Sequence, residues 1–577
     1  METKTPVMSK LNKEKWIPML HFLLSFFYEW TILIMHPQDH VVAAVAKDFT
    51  YGNDFERVMG YVLSKAFALL FICLIWKLIF YVERNAKRNK SLRWFAVAFA
   101  TGAAFLLFLW PNVFYYSVDN YVTYSYAIRL YPEYWHNAYS SVIYAACLMV
   151  IPHPFSICLL QWLLFVFQLG YAWNGLGRAD ATNKKAKYLL ILLLLVPETF
   201  VLISDPYRTE QYALTCMAYL FTILIDVIGR KEYSAKKNLF MIFFSALIAT
   251  WRTEGILLGA LGYLSILLFV DRGKTSKKIL RFCVFCAVFF LVSFPQKVGN
   301  VKYYGSDYSI INSFPVLKNV FCRQDSNLSY AGAQEDLAAI EAVVPIEAIQ
   351  AYGMDGYRRY NAMNGHKDIN QSLPPAEVGK RYVKAFYNIC LHNPKTYALT
   401  QIGMLKTVLK FRKEGYVERS DVVLSREYPA WEFEAWDRGK EDFMNYPLVK
   451  YWDEAEWRRA FANSVIDLMR GIEELGAKTY LSTAYLVMIP LLAVIICLRE
   501  AVLFWKKRKE KGAFRDLAFA YFLVMLLGQY AAIALVMPAG VLVYFHAVYY
   551  CTLTVEITYF GFRWKRNENR IMSDNLE

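Results

Sequence analysis

Residues 238–270 read NLFMIFFSALIATWRTEGILLGALGYLSILLFV, two apolar runs joined by a short polar turn. A helix rises about 1.5 Å per residue and the hydrocarbon layer of a membrane is about 30 Å thick, so two full crossings need about 40 residues. This stretch has 33. It therefore predicts a helical hairpin whose turn, with Arg252 and Glu254, lies below the membrane surface.

The remainder of the chain repeats this pattern. Of its 577 residues, 57% are hydrophobic and 20% are charged, and the apolar residues are grouped into long runs separated by basic clusters. Soluble domains carry about 45–50% apolar residues and interrupt them often, which excludes a string of soluble domains. The runs predict about twelve transmembrane helices, at 17–35, 59–82, 94–115, 155–176, 188–203, 211–228, 238–250, 255–271, 279–295, 478–498, 514–536 and 541–562.

Lys and Arg fix the expected orientation. With a cytoplasmic N-terminus, the inner segments hold 33 of these residues and the short outer loops hold five. The positive-inside rule then places both termini in the cytoplasm. The net charge of +15 faces anionic headgroups, so no nucleic-acid partner is expected.

The predicted fold class is mainly α: a polytopic membrane protein with one α-rich extracytoplasmic domain. Residues 296–477 contain no span and fall on the outer side, with helical periodicity near 334–351, 376–391, 395–411 and 454–474. The expected divisions are a two-span segment (1–92), a transmembrane core (93–295), the outer domain (296–477) and a three-span segment (478–577). Cys322 and Cys390 form a disulfide there or remain two thiols.

The unusual polar residues lie on the predicted outer face. The loop 116–154 carries Asp119, Glu133 and His136, and its residues 120–130 and 137–151 are expected to form amphipathic helices in the membrane interface. Asp119 is either a solvated helix-end carboxylate or a catalytic one.

Further candidates lie in three later segments. In the turn 204–210, Asp205 caps the next helix or acts in a site with Glu210. Arg252 and Glu254 either pair with each other or bind an anionic ligand such as a phosphate, which suits the planar fork of arginine. Tyr544 and His546, inside the last span, are packing residues or part of that site.

Several reaction classes are excluded by missing motifs. The chain has no G-x-x-x-x-G-K-[ST], H-E-x-x-H or G-x-S-x-G segment, so ATP hydrolysis, zinc proteolysis and a serine-hydrolase elbow are not expected.

The layout resembles the GT-C superfamily of integral membrane glycosyltransferases, which includes protein mannosyltransferases and bacterial transferases that modify lipid A with aminoarabinose. The resemblance is carried by Asp119 after a core helix, by the loop from Tyr139 to Pro154, by the acidic turn with Asp205 and Glu210, and by the turn 251–255. A late extracytoplasmic domain adds to it. Two spans precede the proposed core. If the core instead began at the first span, Asp39 or Asp48 would take the place of Asp119 as the acidic residue after the first core helix.

The resemblance implies an inverting transfer of a sugar from a polyprenyl phosphate to an extracytoplasmic acceptor of the cell envelope, which is a wall polymer, capsule, lipid or protein. Asp119 would be the general base or would orient the acceptor, and Arg252 would stabilise the leaving phosphate. Glu254, Asp205, Glu210 and His136 are candidates for holding the acceptor or a metal. A divalent metal occurs in some relatives, and this sequence does not require one.

Two other functions stay open. An O-antigen-type polymerase or ligase would use a pyrophosphate donor and favour more outer arginines than the chain has. A transporter of lipid-linked glycans would favour a pseudo-symmetric repeat, and no such repeat is visible.

The topology can be tested by cysteine labelling. Arg252→Cys should gain reactivity toward a small, membrane-impermeant thiol reagent added from outside, and should resist a bulky one, because the turn is recessed. The unsubstituted chain gives the background of the native cysteines. Labelling from the cytoplasmic side only would contradict the predicted orientation.

Overall fold

The computed structural model describes residues 52–86, 90–109, 118–151, 153–178, 184–196, 208–229, 232–303, 307–351, 376–409, 456–507, 513–537 and 542–574, and the single residues Leu20, Leu23, Leu24, Phe27, Thr199 and Ile203. Within these ranges every regular element is a helix. The elements are α1 (Asp54–Ala86), α2 (Lys90–Leu109), α3 (Val118–Ile128), α4 (Ala138–Val150), α5 (Phe155–Arg178), a 3-10 helix (Lys184–Leu195), α6 (Arg208–Ile228), α7 (Ala235–Trp251), α8 (Gly255–Ser265) with a π-helical end (Ile266–Val270), α9 (Thr275–Tyr303), α10 (Asp307–Cys322), α11 (Ala333–Glu341), α12 (Ile346–Ala351), α13 (Ala376–His392), α14 (Pro394–Leu409), α15 (Glu456–Lys478), α16 (Leu481–Lys507), α17 (Ala513–Val536), a 3-10 turn (Leu542–Tyr544) and α18 (His546–Asp574).

The prediction of a mainly α, multi-pass membrane protein is confirmed at this level. Seven helices in the described ranges are long and apolar enough to cross a membrane, at Asp54–Asn85, Lys90–Leu109, Phe155–Leu176, Arg208–Ile228, Thr275–Tyr303, Leu481–Lys506 and Leu517–Val536. Ala138–Val150 and Gly255–Val270 are shorter apolar helices. Most of the first predicted span, 17–35, lies outside the described residues. The total of twelve spans stays a prediction.

The chain divides into two compact units, which are described separately. Unit 1 comprises Met1–Pro111, Tyr116–Gly170 and Ala435–Arg459. Unit 2 comprises Asn112–Tyr115, Tyr171–Glu434 and Ala460–Glu577.

In unit 1, α1 begins with a reciprocal cap. The Asn53 N–H donates to the Glu56 carboxylate at 3.0 Å, and the Glu56 N–H donates to the Asn53 side chain at 2.9 Å. This capping box satisfies donors that the first turn of a helix leaves without partners. Farther along α1, a Cβ at Gly60 would lie 2.2 Å from the carbonyl oxygen of Leu130, so the turn after α3 packs directly on this helix.

The helices predicted at 120–130 and 137–151 are present as α3 and α4, but the prediction that α4 is amphipathic is wrong. Its residues from Ala138 to Met149 are buried, apart from the half-buried Tyr139. The physical reason is its composition, which is apolar or small on every face. A helix of that kind is stable only inside a packed core.

In unit 2, α7 and α8 form the predicted helical hairpin. Two glycines of α8 allow close approach: a Cβ at Gly259 would lie 2.5 Å from the Ala249 Cβ, and one at Gly262 would lie 2.6 Å from the Tyr219 ring. Small residues of this kind let membrane helices pack backbone to backbone. Helix α8 therefore packs tightly against both α7 and α6.

Ion pairs connect the helix ends that lie opposite the Arg252 turn. Lys237 near the start of α7 pairs with Asp226 near the end of α6. Arg281 of α9 pairs with Asp271, which follows the π-helical end of α8. The Asp226 and Asp271 side chains are 0% and 7% exposed, and such buried charges are stable when they are paired.

The segment 307–409 has a hydrophobic core of its own. It is built from α10, α11, α12 and α13, with Phe314, Ile340, Ile349 and Tyr382 among its buried residues. The helices predicted at 376–391, 395–411 and 454–474 are confirmed as α13, α14 and α15. The helical periodicity predicted near 334–351 corresponds to two helices, α11 and α12, and Pro345 lies in the break between them. Whether the outer domain spans 296–477 stays a prediction.

Both cysteines of this segment are free thiols. Cys322 is exposed and Cys390 is half-buried, and burial raises the pKa of Cys390 to about 12. Of the two alternatives left open by the sequence, the structure has the two thiols.

The close contact at Gly259 generates a stability prediction. Gly259→Ala should destabilise the protein by about 1–3 kcal/mol, because the added methyl has no room between α7 and α8. Thermal unfolding of the purified protein in detergent measures the change. Gly528→Ala in α17 is the matched control, since its Cβ would meet nothing within 4 Å and alanine favours the helix. Equal unfolding midpoints for the two variants would contradict the tight packing.

Candidate functional site

The turn between α7 and α8 holds Arg252 at the end of one helix and Glu254 at the start of the next. The Gly255 N–H donates to the Arg252 carbonyl at 2.9 Å, which closes the turn. A Cβ at Gly255 would lie 2.2 Å from the Ile248 carbonyl oxygen and 2.8 Å from the Tyr212 hydroxyl. Glycine is therefore required at this position, and it keeps the turn pressed against α6.

The guanidinium of Arg252 is held on several sides. Its Nε donates to the Glu254 carboxylate, and its Nη1 donates to the Thr209 hydroxyl at 2.8 Å. The guanidinium carbon lies 5.9 Å from the ring centre of Tyr212 and 5.8 Å from that of Tyr544, within the range of cation–π attraction. The side chain is 11% exposed. These contacts fix both the plane and the position of the fork.

Glu210 and His546 form a second polar pair beside this cation. Glu210 lies in the first turn of α6, where a negative charge is favoured by the helix dipole, and His546 begins α18. The His546 Nδ1 and the Glu210 Oε2 lie 3.3 Å apart, and both side chains are 0% exposed. The other oxygen of the carboxylate and the other nitrogen of the ring, Oε1 and Nε2, have no hydrogen-bond partner in the described structure.

The Arg252 guanidinium and the Glu210–His546 pair are neighbours because α18 packs on α6. Thr209, which contacts Arg252, directly precedes Glu210 in α6. Tyr544, which also contacts Arg252, lies two residues before His546. We call these residues the Arg252–His546 cluster: Thr209, Glu210, Tyr212, Arg252, Glu254, Tyr544 and His546. The five residues that the sequence singled out in unit 2 and that the structure describes therefore lie together.

Two residues of the cluster, Thr209 and Tyr212, were not predicted from the sequence. Tyr212 is two positions after Glu210, a spacing that does not place two residues on one helix face, so helical periodicity does not single it out. No local signal distinguishes Thr209, since its contact with Arg252 joins positions 43 residues apart.

In unit 1, Glu133 and His136 contact each other. The His136 Nδ1 pairs with Oε1 of Glu133, and the Thr123 hydroxyl donates to Oε2 of the same carboxylate at 2.7 Å. The Glu133 N–H donates to the Ser141 hydroxyl at 2.9 Å. Glu133 is fully buried and both of its oxygens are engaged, so it joins α3 to α4 and orients the ring of His136.

The remaining predicted residues fall at the limits of what the structure describes. Asp119 lies in the first turn of α3, but its side chain is outside the described part of the structure. Asp205, Asp39 and Asp48 lie entirely outside the described part. Asp119, Glu133 and His136 belong to unit 1, whereas the Arg252–His546 cluster belongs to unit 2. The predicted gathering of Asp119, Asp205 and Arg252 in one pocket stays a prediction.

Metal binding by the described side chains was also considered. Among them, no group of three or more His, Cys, Asp or Glu has metal-binding geometry. The pair of Glu210 and His546 supplies two ligands of the kind that zinc uses, and a protein site for zinc has three or four.

No family model, curated protein or solved structure matches this chain.

His153, between α4 and α5, is a further buried titratable group of unit 1. Burial lowers the pKa of His153 to about 4 from its ordinary value of 6.5. Its Nδ1 accepts a hydrogen bond from the Phe155 N–H at 3.1 Å, which requires the neutral ring. The folded protein therefore disfavours the protonated imidazole.

This lowered pKa predicts a loss of stability in acid. The stability contributed by the neutral ring is complete above pH 6.5 and is lost as the pH falls through about 4, because the unfolded chain binds a proton that the folded chain resists. His153→Gln should reduce the pH dependence of thermal unfolding between pH 7 and 4 by roughly 1–3 kcal/mol. His392→Gln, which replaces an exposed imidazole, is the control and should keep the wild-type slope. An unchanged slope in His153→Gln would contradict the assignment.

Proposed function

We propose that this protein is a membrane glycosyltransferase that moves a sugar from a polyprenyl-phosphate donor to an extracytoplasmic acceptor, with inversion at the anomeric carbon. The observation that carries the proposal is the guanidinium of Arg252, which Glu254 and Thr209 hold in the turn between α7 and α8. Arginine binds phosphate oxygens through two parallel hydrogen bonds, and a guanidinium whose orientation is already fixed suits that role.

The proposal includes the finer topology expected from the sequence. Twelve spans and cytoplasmic termini would place the Arg252 turn on the outer side of the membrane. The 17 residues of α7 extend about 25 Å, which is less than the hydrocarbon thickness of about 30 Å. The cluster would then lie a few ångströms below the outer surface, at the depth of a lipid phosphate.

The arrangement of the cluster supports a particular role for each side chain. Glu254 and Thr209 orient the guanidinium, so that little reorganisation is needed when a phosphate arrives. The rings of Tyr212 and Tyr544 exclude water around the charge, which strengthens its attraction for an anion.

The reaction would be a single displacement. The acceptor hydroxyl attacks the anomeric carbon, the bond from that carbon to the phosphate oxygen breaks, and polyprenyl phosphate leaves with the electron pair. Arg252 stabilises the negative charge that develops on the departing phosphate. The proton of the acceptor hydroxyl goes to a carboxylate, for which Asp119 remains the residue predicted from the sequence.

A donor without pyrophosphate distinguishes this function from a polymerase or ligase of lipid-linked glycans. The cluster contains a single guanidinium, which suits the one negative charge of a phosphodiester better than the two of a pyrophosphate diester. A transporter would need no displacement step, and it would leave the donor intact.

The proposal predicts a defined transfer activity. The purified protein in lipid, supplied with envelope extract as acceptor, should release polyprenyl phosphate from a radiolabelled polyprenyl-phosphate hexose. Arg252→Gln and Asp119→Asn should each lower the rate by about 10²–10³-fold, because each removes a charge that acts in the transition state. Arg323→Gln is the control, since Arg323 forms an exposed pair with Asp325.

Three results would oppose the proposal in different ways. Full activity in Asp119→Asn would remove that residue from the reaction, and full activity in Arg252→Gln would remove the phosphate site. Transfer from a polyprenyl-pyrophosphate glycan alone would favour the polymerase or ligase instead.

A further inference from the structure

Two polar atoms of one buried side-chain pair in unit 2 lack partners. They are Oε1 of Glu210 and Nε2 of His546, on side chains that are both 0% exposed. A buried polar atom without a hydrogen bond costs roughly 1–3 kcal/mol, and two such atoms on a directly paired carboxylate and imidazole double that cost. A ligand that binds both atoms would remove it.

The pairing within the cluster defines the chemistry that such a ligand needs. The carboxylate oxygen Oε1 accepts a hydrogen bond, and Nε2 of the imidazole accepts or donates according to the tautomer of the ring. The ligand must therefore present one donor to Oε1 and, to Nε2, a group that can donate or accept. The hydroxyl groups of a sugar do both and meet this requirement.

The position of the pair fits a sugar that is attached to a phosphate. Glu210 follows Thr209, whose hydroxyl is bound by Arg252, and consecutive Cα atoms lie about 3.8 Å apart. His546 is likewise two residues from Tyr544, whose ring faces the same guanidinium. The Glu210–His546 pair and the Arg252 guanidinium therefore belong to the same cluster of side chains.

We propose that Glu210 and His546 bind two hydroxyls of the donor sugar, while Arg252 binds its anomeric phosphate. This inference rests on the proposed function and adds to it the means by which the sugar is recognised. A site built to bind hydroxyls discriminates strongly against a sugar that lacks one, because its own buried polar atoms are then left without partners. Glu210 and His546 are thus specificity-determining residues.

The test uses soluble glycosyl phosphates on the full chain in detergent. The probes are the 1-phosphates of glucose, mannose and galactose, the 2-, 3- and 4-deoxy forms of the probe that binds best, and inorganic phosphate as reference. Binding is measured by the concentration of each probe that raises the thermal unfolding midpoint.

The wild type should bind at least one hexose 1-phosphate roughly tenfold more tightly than inorganic phosphate, and removal of a hydroxyl that the pair binds should abolish that gain. Glu210→Gln and His546→Phe should bind the sugar phosphate only as tightly as inorganic phosphate. Tyr550→Phe is the matched control: it removes the hydrogen bond to Thr199 one turn along α18, keeps the ring, and should leave binding unchanged.

The outcomes separate this inference from the function on which it rests. Equal binding of inorganic phosphate, hexose phosphates and deoxy forms would overturn the sugar site, since an ordered water then satisfies the pair, and it would leave the phosphate site intact. Loss of all phosphate binding in Arg252→Gln supports the phosphate site, and the deoxy series supports the sugar site. No binding of any phosphate by the wild type would overturn both. The deoxy series on the wild type decides the question if either variant fails to fold.

Discussion

The charge of Arg252 between two apolar helices is the constraint on which the candidate site depends. A guanidinium in such a place must be solvated by the protein itself, and Glu254, Thr209 and two tyrosine rings do so. These contacts also constrain the neighbouring backbone. Gly255 must remain a glycine so that the turn can approach α6. The segment that leads into α18 must place the ring of Tyr544 beside the Arg252 guanidinium.

The same packing gives unit 2 two kinds of buried polar group. The ion pairs of Asp226 with Lys237 and of Asp271 with Arg281 satisfy charge with charge and fasten helix ends. Glu210 and His546 pair with each other and leave one buried atom each without a partner. The ion pairs stabilise the helical framework, and we propose that the Glu210–His546 pair binds a ligand.

Much of the helical framework could be predicted from local pattern. The boundaries of α5, α13 and α17 lie within a few residues of those expected, because apolar runs and amphipathic periodicity are properties of contiguous sequence. The sequence predictions failed where the outcome depends on packing against a neighbouring element or on a local break. The burial of α4 depends on what packs around it, and the break at Pro345 was hidden by a periodicity that continues on both sides of it.

By itself, the sequence determined that the chain is helical and multi-pass, and that Arg252 and Glu254 lie at a hairpin turn, since hydropathy and short loops are local quantities. It also identified Glu210 in an acidic turn, and Tyr544 and His546 inside an apolar run, because such local patterns are visible without a fold. Only the tertiary structure decided that these residues meet. Glu210 and His546 are 336 positions apart, and contact across that distance arises from the packing of α18 on α6.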